Sequence, residues 1–322
     1  MTAIETAAST ITISPLSPTI GAEVGGIDLR ESLSSARLAE VRQTLLDWKV
    51  IFFRDQDLTP MQHLDFARNF GELEVHPFAP SHPEHPEVLQ ISHDADAPGR
   101  ENNWHSDVTW RLQPSLGSVL LMKHSPAVGG DTLFADMYEA YDGLPDEIKA
   151  EIDAKVARHD FAGFRRGLIR KGATPEQIDE FNAQYPNPEH PVVRTHPETG
   201  RRGIYVNSAF TQEIVGVSPQ RSEELLQLLY RQAAFPEYQC RFRWQTNSIA
   251  FWDNRACQHY AVSDYWPHAR AVERVTIVGD TPYFDPAQPV TGRHDERPFR
   301  GAINRSRKYR TSGPSGDDGE MT

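Results

Sequence analysis

The chain is poor in cysteine and has no long hydrophobic segment. Of its 322 residues only Cys240 and Cys257 are cysteines, too few for a disulfide framework and typical of proteins from a reducing cytosol. No segment approaches the roughly 20 consecutive apolar residues that a membrane-spanning helix requires. We therefore expect a cytoplasmic protein that makes no contact with a membrane.

A net positive charge is missing as well, and the first residues do not predict a secretory signal. The chain has 33 Lys and Arg residues against 45 Asp and Glu, so its formal net charge is -12, and a field of this sign disfavours binding to a nucleic acid backbone. The first 15 residues have neither the basic nor the apolar stretch of a secretory signal. Any anionic ligand must therefore be bound by a local cluster of basic side chains.

The hydrophobic pattern predicts short strands with a few helices around them. Helical spacing of apolar residues, with Ser, Thr or Pro at the start, predicts helices at 34–49, 60–70, 145–156 and 218–232. Runs of β-branched and aromatic residues between Gly and Pro turns predict strands at 50–53, 88–92, 118–122, 131–134, 191–195, 203–207, 241–244, 248–252 and 274–278. This pattern favours a mostly β fold with peripheral helices, a β-sandwich or jelly roll.

The composition also indicates how the chain is divided. We expect one domain over 13–283, a flexible N-terminus at 1–12 and an extended or disordered C-terminal arm at 284–322, where Pro, Gly, Ser, Arg and Asp dominate. The stretch 161–188 is polar, charged and weakly periodic. It is interpreted as an insertion or lid rather than as core.

The triplet His105-Ser106-Asp107 and the distant His259 form a candidate metal site. Two imidazoles and one carboxylate, with open positions opposite them, are the ligand set of non-haem Fe(II) oxygenases. On an extended strand, residues two apart point to the same face, so His105 and Asp107 can reach one ion. A Zn(II) site on a β-sandwich, in a hydrolase or a non-redox binding module, is an alternative use of the same three side chains.

Two arginines follow His259 at a spacing of four. A dianionic ligand in an acidic protein needs a buried fixed cation, and Arg keeps its charge when it is desolvated. If the strand alternates regularly, Arg270 and Arg274 lie on one face, towards the interior. The alternation of their neighbours is imperfect, which leaves room for a bulge or a turn between them.

Several blocks of sequence, in order, resemble the Fe(II)/2-oxoglutarate-dependent taurine dioxygenase family, which includes alkylsulfatases and chlorophenoxyacetate dioxygenases. The resemblance extends from about residue 13 to residue 283 and implies a double-stranded β-helix, the cupin-like jelly roll. The blocks are Asn103-Trp104-His105-Ser106-Asp107-Val108-Thr109, Gly129-Gly130-Asp131-Thr132, Trp252-Asp253-Asn254-Arg255 and Gln258-His259-Tyr260-Ala261.

The resemblance implies a role for each matching residue. His105, Asp107 and His259 would bind Fe(II), and Arg270 with Thr132 would bind the distal carboxylate of 2-oxoglutarate. The expected substrate residues are His76, Glu101, Asn103, Phe210 and Arg274, of which Arg274 matches the arginine that binds the sulfonate of taurine. Three places depart from the taurine enzymes: Ala79 replaces a tyrosine, the loop 94–102 is longer and ends in Arg100-Glu101-Asn102 where an amide is expected, and 161–166 aligns poorly with the family's aromatic wall. Glu101 could pair with an amine. The Trp252 to Arg255 block is interpreted as a strand end and turn that positions His259.

The reaction implied by the resemblance consumes O2 and 2-oxoglutarate. The carbon next to the sulfonate of taurine would be hydroxylated, releasing sulfite and aminoacetaldehyde, with succinate and CO2 from the cosubstrate. Other alkyl sulfonates, alkyl sulfate esters and aryloxy acids are the alternative substrates. Arg270 and Thr132 argue against the Zn(II) hydrolase, which has no need of a 2-oxoglutarate anchor. Relatives of this kind suggest a homodimer or homotetramer.

Overall fold

Two β-sheets face each other and form the centre of the molecule. The structure, a computed structural model, describes residues 11–77 and 79–291. The larger sheet has seven strands in the order β1-β2-β3-β13-β5-β15-β4, antiparallel except for the β2–β3 pair. Its strands are β1 (Thr12–Pro15), β2 (Ala22–Gly25), β3 (Val50–Phe53), β4 (Val88–His93), β5 (Ser115–His124), β13 (Ile249–Asp253) and β15 (Arg270–Val278).

The opposing sheet has three antiparallel strands in the order β12-β6-β14. They are β6 (Thr132–Asp136), β12 (Gln239–Phe242) and β14 (Cys257–Ala261). Large apolar side chains from both sheets fill the space between them. The rings of Phe52 on β3 and Phe242 on β12, for example, stack with centroids 3.9 Å apart. Two sheets packed over a shared core confirm the predicted jelly roll.

Two helices cover the outer face of the large sheet. They are α1 (Ser35–Trp48) and α2 (Pro60–Arg68). Ser34 caps α1 by accepting the N–H of Arg37, and Thr59 caps α2 through a reciprocal capping box with Gln62. The buried faces of both helices join the core on that side of the sheet. The predictions at 34–49 and 60–70 are confirmed to within two residues.

The remaining elements form a second layer beside the small sheet. Their core is continuous with the inner face of helix α7, where Leu225, Leu226 and Leu229 are buried. The elements are α3 (Met137–Asp142), α4 (Asp146–Ile152), β7 (Val156–His159), α5 (Ala162–Arg170), α6 (Pro175–Gln184), β8 (Glu189–Pro191), β9 (Val193–Thr195), β10 (Arg202–Ile204), β11 (Thr211–Ile214) and α7 (Pro219–Gln232). Strands β11, β7 and β8 form one small sheet, and β9 and β10 form a hairpin.

The sequence-based prediction is wrong in detail at two places. The helix predicted at 145–156 ends at Ile152, because Ala154 has a left-handed backbone (φ 60°) and Val156 begins β7. The stretch 161–188, for which no helix is predicted, contains α5 and α6; neither helix has a buried residue, in agreement with the expectation that this stretch is not core. The signal for α6 is present in the sequence, since Thr174, Pro175 and Gln177 form a capping box with Pro at its start.

The chain beyond the domain predicted for 13–283 continues along its surface. Over 284–291 it lies against the β9–β10 hairpin and makes a turn at 286–287; the N–H of Asp285 donates to the Thr195 hydroxyl at 2.8 Å and the N–H of Thr291 donates to the carbonyl of Thr199. The rest of the predicted arm, 292–322, and most of the predicted flexible N-terminus lie outside the described residues. In the part of the chain that the structure describes, no helix is both long and apolar enough to cross a membrane.

Candidate active site

The three predicted metal ligands lie together at the edge of the small sheet. His105 forms an isolated β-bridge with His259 on β14, through N–H···O bonds of 3.1 and 2.8 Å. Asp107 Oδ1 lies 3.7 Å from His105 Nε2 and 3.9 Å from His259 Nε2. One ligand atom from each residue lies within 4.8 Å of the other two, and no other such cluster occurs over 11–77 and 79–291.

The local backbone differs from the strand that the i, i+2 spacing predicts. His105 is extended, but Asp107 already begins a turn. Two side-chain contacts keep this short segment beside β14. Ser106 Oγ donates to the carbonyl of Cys257 at 3.0 Å, and Asn254 Oδ1 accepts the N–H of Asp107 at 2.6 Å. The convergence of the triad therefore depends on tertiary contacts as well as on spacing.

Each imidazole is held in a defined orientation. His105 Nδ1 lies 2.9 Å from the carbonyl oxygen of Asn103. Because a carbonyl can only accept, Nδ1 carries the proton of the neutral ring and Nε2 has its lone pair free. The ring of His259 packs against Trp252 and Phe134, with centroids 5.0 and 6.1 Å away. Both Nε2 atoms face Asp107, the arrangement that a shared ion requires.

The electrostatics of the triad favour the protonation states that bind metals. Burial raises the pKa of Asp107, but the Arg274 guanidinium and the two imidazoles outweigh burial and bring the pKa down to about 2. Burial, with a smaller contribution from His105, lowers the pKa of His259 to about 3. At neutral pH the site therefore presents a carboxylate and a neutral His259 imidazole, both able to donate electron pairs to a cation.

A cavity between the two sheets extends from the triad towards Arg270. It is partly polar and partly apolar, as expected for a small-molecule site. It is lined by His93, Glu101, His105, Thr132, His259, Arg270 and Arg274, and by the apolar side chains of Ile91, Leu120, Phe134, Trp244, Trp252, Ala261 and Val272.

In the described residues Arg270 is a buried cation without a carboxylate at salt-bridge distance, although the charge of Glu101 acts on it from further away. Only 6% of it is exposed, and its Nε donates to the carbonyl of Gly130 at 3.3 Å. In the described residues no carboxylate lies within 4 Å of its guanidinium, which is 5.9 Å from the ring of Tyr265. Burial lowers its pKa from the usual value. Thr132 lines the same cavity, and its Oγ1 accepts the indole N–H of Trp244 at 2.9 Å, leaving the hydroxyl proton free to be donated.

Arg274 lies on the same strand and faces the same cavity. The register of β15 against β5 shifts between Ala271 and Val272, so the bulge considered from the sequence is present, yet both arginines line the cavity. Arg274 NH1 lies 3.1 Å from each carboxylate oxygen of Asp107. Its Nε is buried and has no hydrogen-bond partner in the described residues. The guanidinium thus contacts a predicted metal ligand through NH1, while its Nε donor is unpaired in the described residues.

Three of the predicted substrate residues lie around this cavity rather than in its wall. Phe210 is 6.4 Å from the His105 ring, and Asn103 is exposed and contributes its carbonyl to His105. His76 Nδ1 accepts the N–H of Ala79 at 3.1 Å. Burial and the nearby cations of Arg274 and Arg111 lower the pKa of His76 to about 4, so its ring is neutral at physiological pH.

Glu101 and His93 meet at the Arg270 end of the cavity. Glu101 Oε2 lies 3.1 Å from His93 Nε2 and accepts the N–H of Arg100 at 3.0 Å. His93 is the residue opposite Arg270 in the β4–β15 ladder. Sequence reasoning missed His93, because nothing in its neighbourhood marks it and only strand pairing brings it to the site.

The segment predicted as an insertion or lid contacts the surroundings of the site through aromatic side chains. Phe164 on α5 is 6.2 Å from the His76 ring and 6.2 Å from the Trp110 ring. Phe161, fully buried, packs on Trp110 with centroids 5.3 Å apart. The segment is therefore anchored by aromatic contacts and brings one aromatic side chain next to His76.

Comparison with known proteins is consistent with this site. Residues 12–276 match the Taurine catabolism dioxygenase TauD, TfdA family. The chain is 34% identical to an alkylsulfatase of Acinetobacter baylyi (81% of this chain and 83% of the relative) and 34% identical to an alpha-ketoglutarate-dependent sulfate ester dioxygenase of Pseudomonas putida (84% and 90%). It superposes on a taurine dioxygenase from Burkholderia xenovorans with a TM-score of 0.73 at 39% identity, covering 86% of this chain and 94% of that structure.

These matches extend over almost the whole described domain and include the triad. The family assignment agrees with the cluster of His105, Asp107 and His259 and with the buried arginine in the same cavity. The chain belongs to the TauD/TfdA family and is an alpha-ketoglutarate-dependent (2-oxoglutarate-dependent) dioxygenase.

Proposed function

We propose that the protein uses Fe(II) and 2-oxoglutarate to oxidise a carbon beside the anionic head group of an organosulfur compound. His105, Asp107 and His259 would hold the iron, and Arg270 with Thr132 would bind the distal carboxylate of 2-oxoglutarate. Arg274 would bind the sulfonate or sulfate of the substrate. The iron, with 2-oxoglutarate and O2, supplies the oxidising power that breaks a C–H bond of the substrate.

One observation supports this proposal most directly: the Arg270 guanidinium is buried, has no carboxylate within 4 Å in the described residues and shares a cavity with the triad. An isolated buried charge is costly unless it is paired. A ligand carboxylate provides the missing partner, and the planar guanidinium can bind it with two parallel hydrogen bonds. A hydrolytic Zn(II) site would give this arginine no such partner.

The chain's own side chains then position the reactants. Arg270 and Thr132 fix one end of 2-oxoglutarate, so that its oxo acid end is directed at the triad. Trp244, Trp252 and Phe134 give the cavity an apolar wall. In such surroundings the electrostatic interactions with the two arginines are stronger than in bulk solvent.

The head group of the substrate is better defined than its tail. The guanidinium of Arg274, with its unpaired Nε donor, suits a tetrahedral oxyanion. The His76 ring is neutral at physiological pH, so it adds a polar neighbour without a charge that would attract or repel the anion. Phe164 and Phe210 lie close to His76 and His105. These aromatic rings favour an apolar chain, and an alkyl sulfate ester or alkyl sulfonate is our first candidate.

Taurine, the substrate implied by the sequence resemblance, is the second candidate. Its ammonium group needs an acidic partner, and Glu101 is a carboxylate that lines the cavity. That carboxylate already lies beside His93, at the Arg270 end. The ammonium group of taurine would therefore have to compete with His93 for Glu101. An alkyl chain has no ammonium group and would avoid this competition.

The proposal is tested by turnover with matched substrates. The protein is reconstituted without oxygen with Fe(II) and 2-oxoglutarate, then exposed to air with hexyl sulfate, hexanesulfonate, taurine or 2,4-dichlorophenoxyacetate. Succinate is measured together with sulfate or sulfite. We expect succinate in proportion to sulfate from hexyl sulfate or to sulfite from hexanesulfonate.

The other outcomes are equally informative. Sulfite from taurine alone would establish the second candidate, and a Glu101→Gln variant should then lose taurine turnover selectively. Coupling to the aryloxy acid alone would overturn the organosulfur proposal and keep the dioxygenase. The dimer or tetramer, the cytoplasmic location and the domain limits at 13 and 283 stay predictions.

A further inference from the structure

Asn254 is a buried amide that holds a predicted metal ligand by its backbone. It follows directly after β13 and is 1% exposed. Its Oδ1 accepts the N–H of Asp107 at 2.6 Å, and its Nδ2 donates to the carbonyl of Asp107 at 3.0 Å. One side chain, 147 residues away in sequence, thus satisfies both backbone polar groups of Asp107.

The residue after Asp107 has an unfavourable backbone conformation. Val108 has a φ of 48°, in the left-handed region that β-branched residues rarely adopt. Such a conformation persists only when its surroundings enforce it. Val108 is buried against Trp110 and Phe161, and Asn254 fixes the preceding residue. If the strain were released, the peptide between Asp107 and Val108 would rotate and the carboxylate would leave the two imidazoles.

The rest of the triplet is fixed independently of Asn254. His105 is joined to His259 by two backbone hydrogen bonds, and Ser106 donates to the carbonyl of Cys257. Neither contact acts on the Asp107–Val108 peptide. Asn254 is therefore placed to control the position of the third ligand without touching the ion or the substrate.

We propose that Asn254 is a positioning residue that pre-forms the metal site by holding Asp107 in its strained turn. The inference rests on the metal triad of the proposed function and on none of its substrate assignments. Removing a partner that orients a metal ligand typically weakens metal affinity 10–100-fold. We expect a loss in this range for Asn254→Ala, with the imidazole ligands unaffected.

The experiment is a calorimetric titration of the metal-free, full-length protein with Mn(II), in the absence of 2-oxoglutarate. Thermal unfolding of each metal-free variant is recorded in parallel. Ser115→Ala is the matched control, because Asn254 Nδ2 also donates to Ser115 Oγ at 3.0 Å and this contact involves neither polar group of Asp107. We expect Ser115→Ala to bind Mn(II) like the wild type and Asn254→Ala to bind it 10–100-fold more weakly. If Asn254→Ala does not fold, Asn254→Ser replaces it, since a serine side chain is too short to reach both groups.

A second substitution separates positioning from a merely structural role. Glycine adopts left-handed φ without strain, so adding Val108→Gly to Asn254→Ala should restore much of the Mn(II) affinity, even if packing and melting temperature suffer. Asn254→Ala with a lowered melting temperature but unchanged Mn(II) affinity would overturn the inference, as would a double variant that binds no better than the single one. Failure of the wild type to bind Mn(II) would overturn the metal site itself, which distinguishes that failure from this one.

Discussion

Replacing Arg270 with methionine should weaken 2-oxoglutarate binding without destabilising the ligand-free protein. Methionine fills a similar length of the cavity wall and removes the charge. Truncating one partner of a buried, hydrogen-bonded charge pair costs about 2–5 kcal/mol. At about 1.4 kcal/mol per tenfold change in affinity, the dissociation constant of 2-oxoglutarate should rise roughly 30-fold to several thousand-fold.

The stability of the ligand-free protein should respond in the opposite sense. Without ligand, the described contacts of Arg270 amount to one 3.3 Å hydrogen bond to a carbonyl and proximity to the Tyr265 ring, and they do not include an acidic partner. Burial of the unpaired charge is costly, so the free energy of unfolding of Arg270→Met should equal or exceed that of the wild type. An arginine with a mainly structural role would show a loss instead.

Calorimetry of the Mn(II)-loaded protein with 2-oxoglutarate, together with thermal unfolding, measures both quantities. At 100 times the wild-type dissociation constant the ligand should stabilise the wild type by about 2.7 kcal/mol and the variant by less than about 1 kcal/mol. Arg241→Met is the control, because Arg241 forms an exposed pair with Asp131 near the same cavity and exposed pairs contribute little. Unchanged 2-oxoglutarate affinity in Arg270→Met, with a stability loss above about 2 kcal/mol, would refute the reasoning.

Three further predictions concern the triad, the substrate arginine and pH. Asp107→Ala should abolish turnover and Mn(II) binding because it removes a ligand; wild-type values of either would contradict the metal assignment. Arg274→Leu should raise the KM for the organosulfur substrate at least tenfold while the KM for 2-oxoglutarate changes little. Steady-state kinetics with each substrate varied in turn measure both constants. The opposite pattern would mean that Arg270 and Arg274 have exchanged roles. Burial lowers the pKa of His63 from 6.5 to about 4, partly offset by its bond to the Val119 carbonyl. The unfolded chain therefore binds more protons between these values, and stability is retained above pH 6.5 and falls as the pH drops towards 4. A shift of this size corresponds to about 3 kcal/mol for this fully buried group, so in urea titrations across this range His63→Gln should show a weaker pH dependence than the wild type.

The sequence predicts the centre of the site better than its surroundings, for a physical reason. The triad and Arg270 are marked by residue type and spacing, because metal and carboxylate binding restrict the usable side chains. Helix α2 and strand β3 are predicted equally well, since a helix cap and an apolar run are local sequence signals. His93, in contrast, reaches the site because its strand pairs with that of Arg270, and Asn254 binds Asp107, which is 147 residues away in sequence. No local sequence pattern indicates such long-range contacts.

Helices α5 and α6 show a different limit. Neither has a buried residue, and the apolar residues at helical spacing in α5, Phe164 and Leu168, are too few to distinguish a helix from a polar loop. Phe161, just before α5, provides the anchoring contact with Trp110 instead. The capping box at Thr174 was the one readable signal, and it marks a helix start without showing what the helix covers.

Under the proposed function, the position of Arg274 between Asp107 and the cavity would make metal and substrate binding interdependent. One guanidinium contacts the carboxylate of Asp107 and has free donors for an incoming anion. An anion bound there offsets part of the positive charge that Asp107 experiences, which makes the carboxylate a stronger donor to the ion. By thermodynamic reciprocity, the ion must then raise the affinity for the anion by the same factor. In such a site, substrate binding would raise the affinity for the metal ion before any oxygen is consumed.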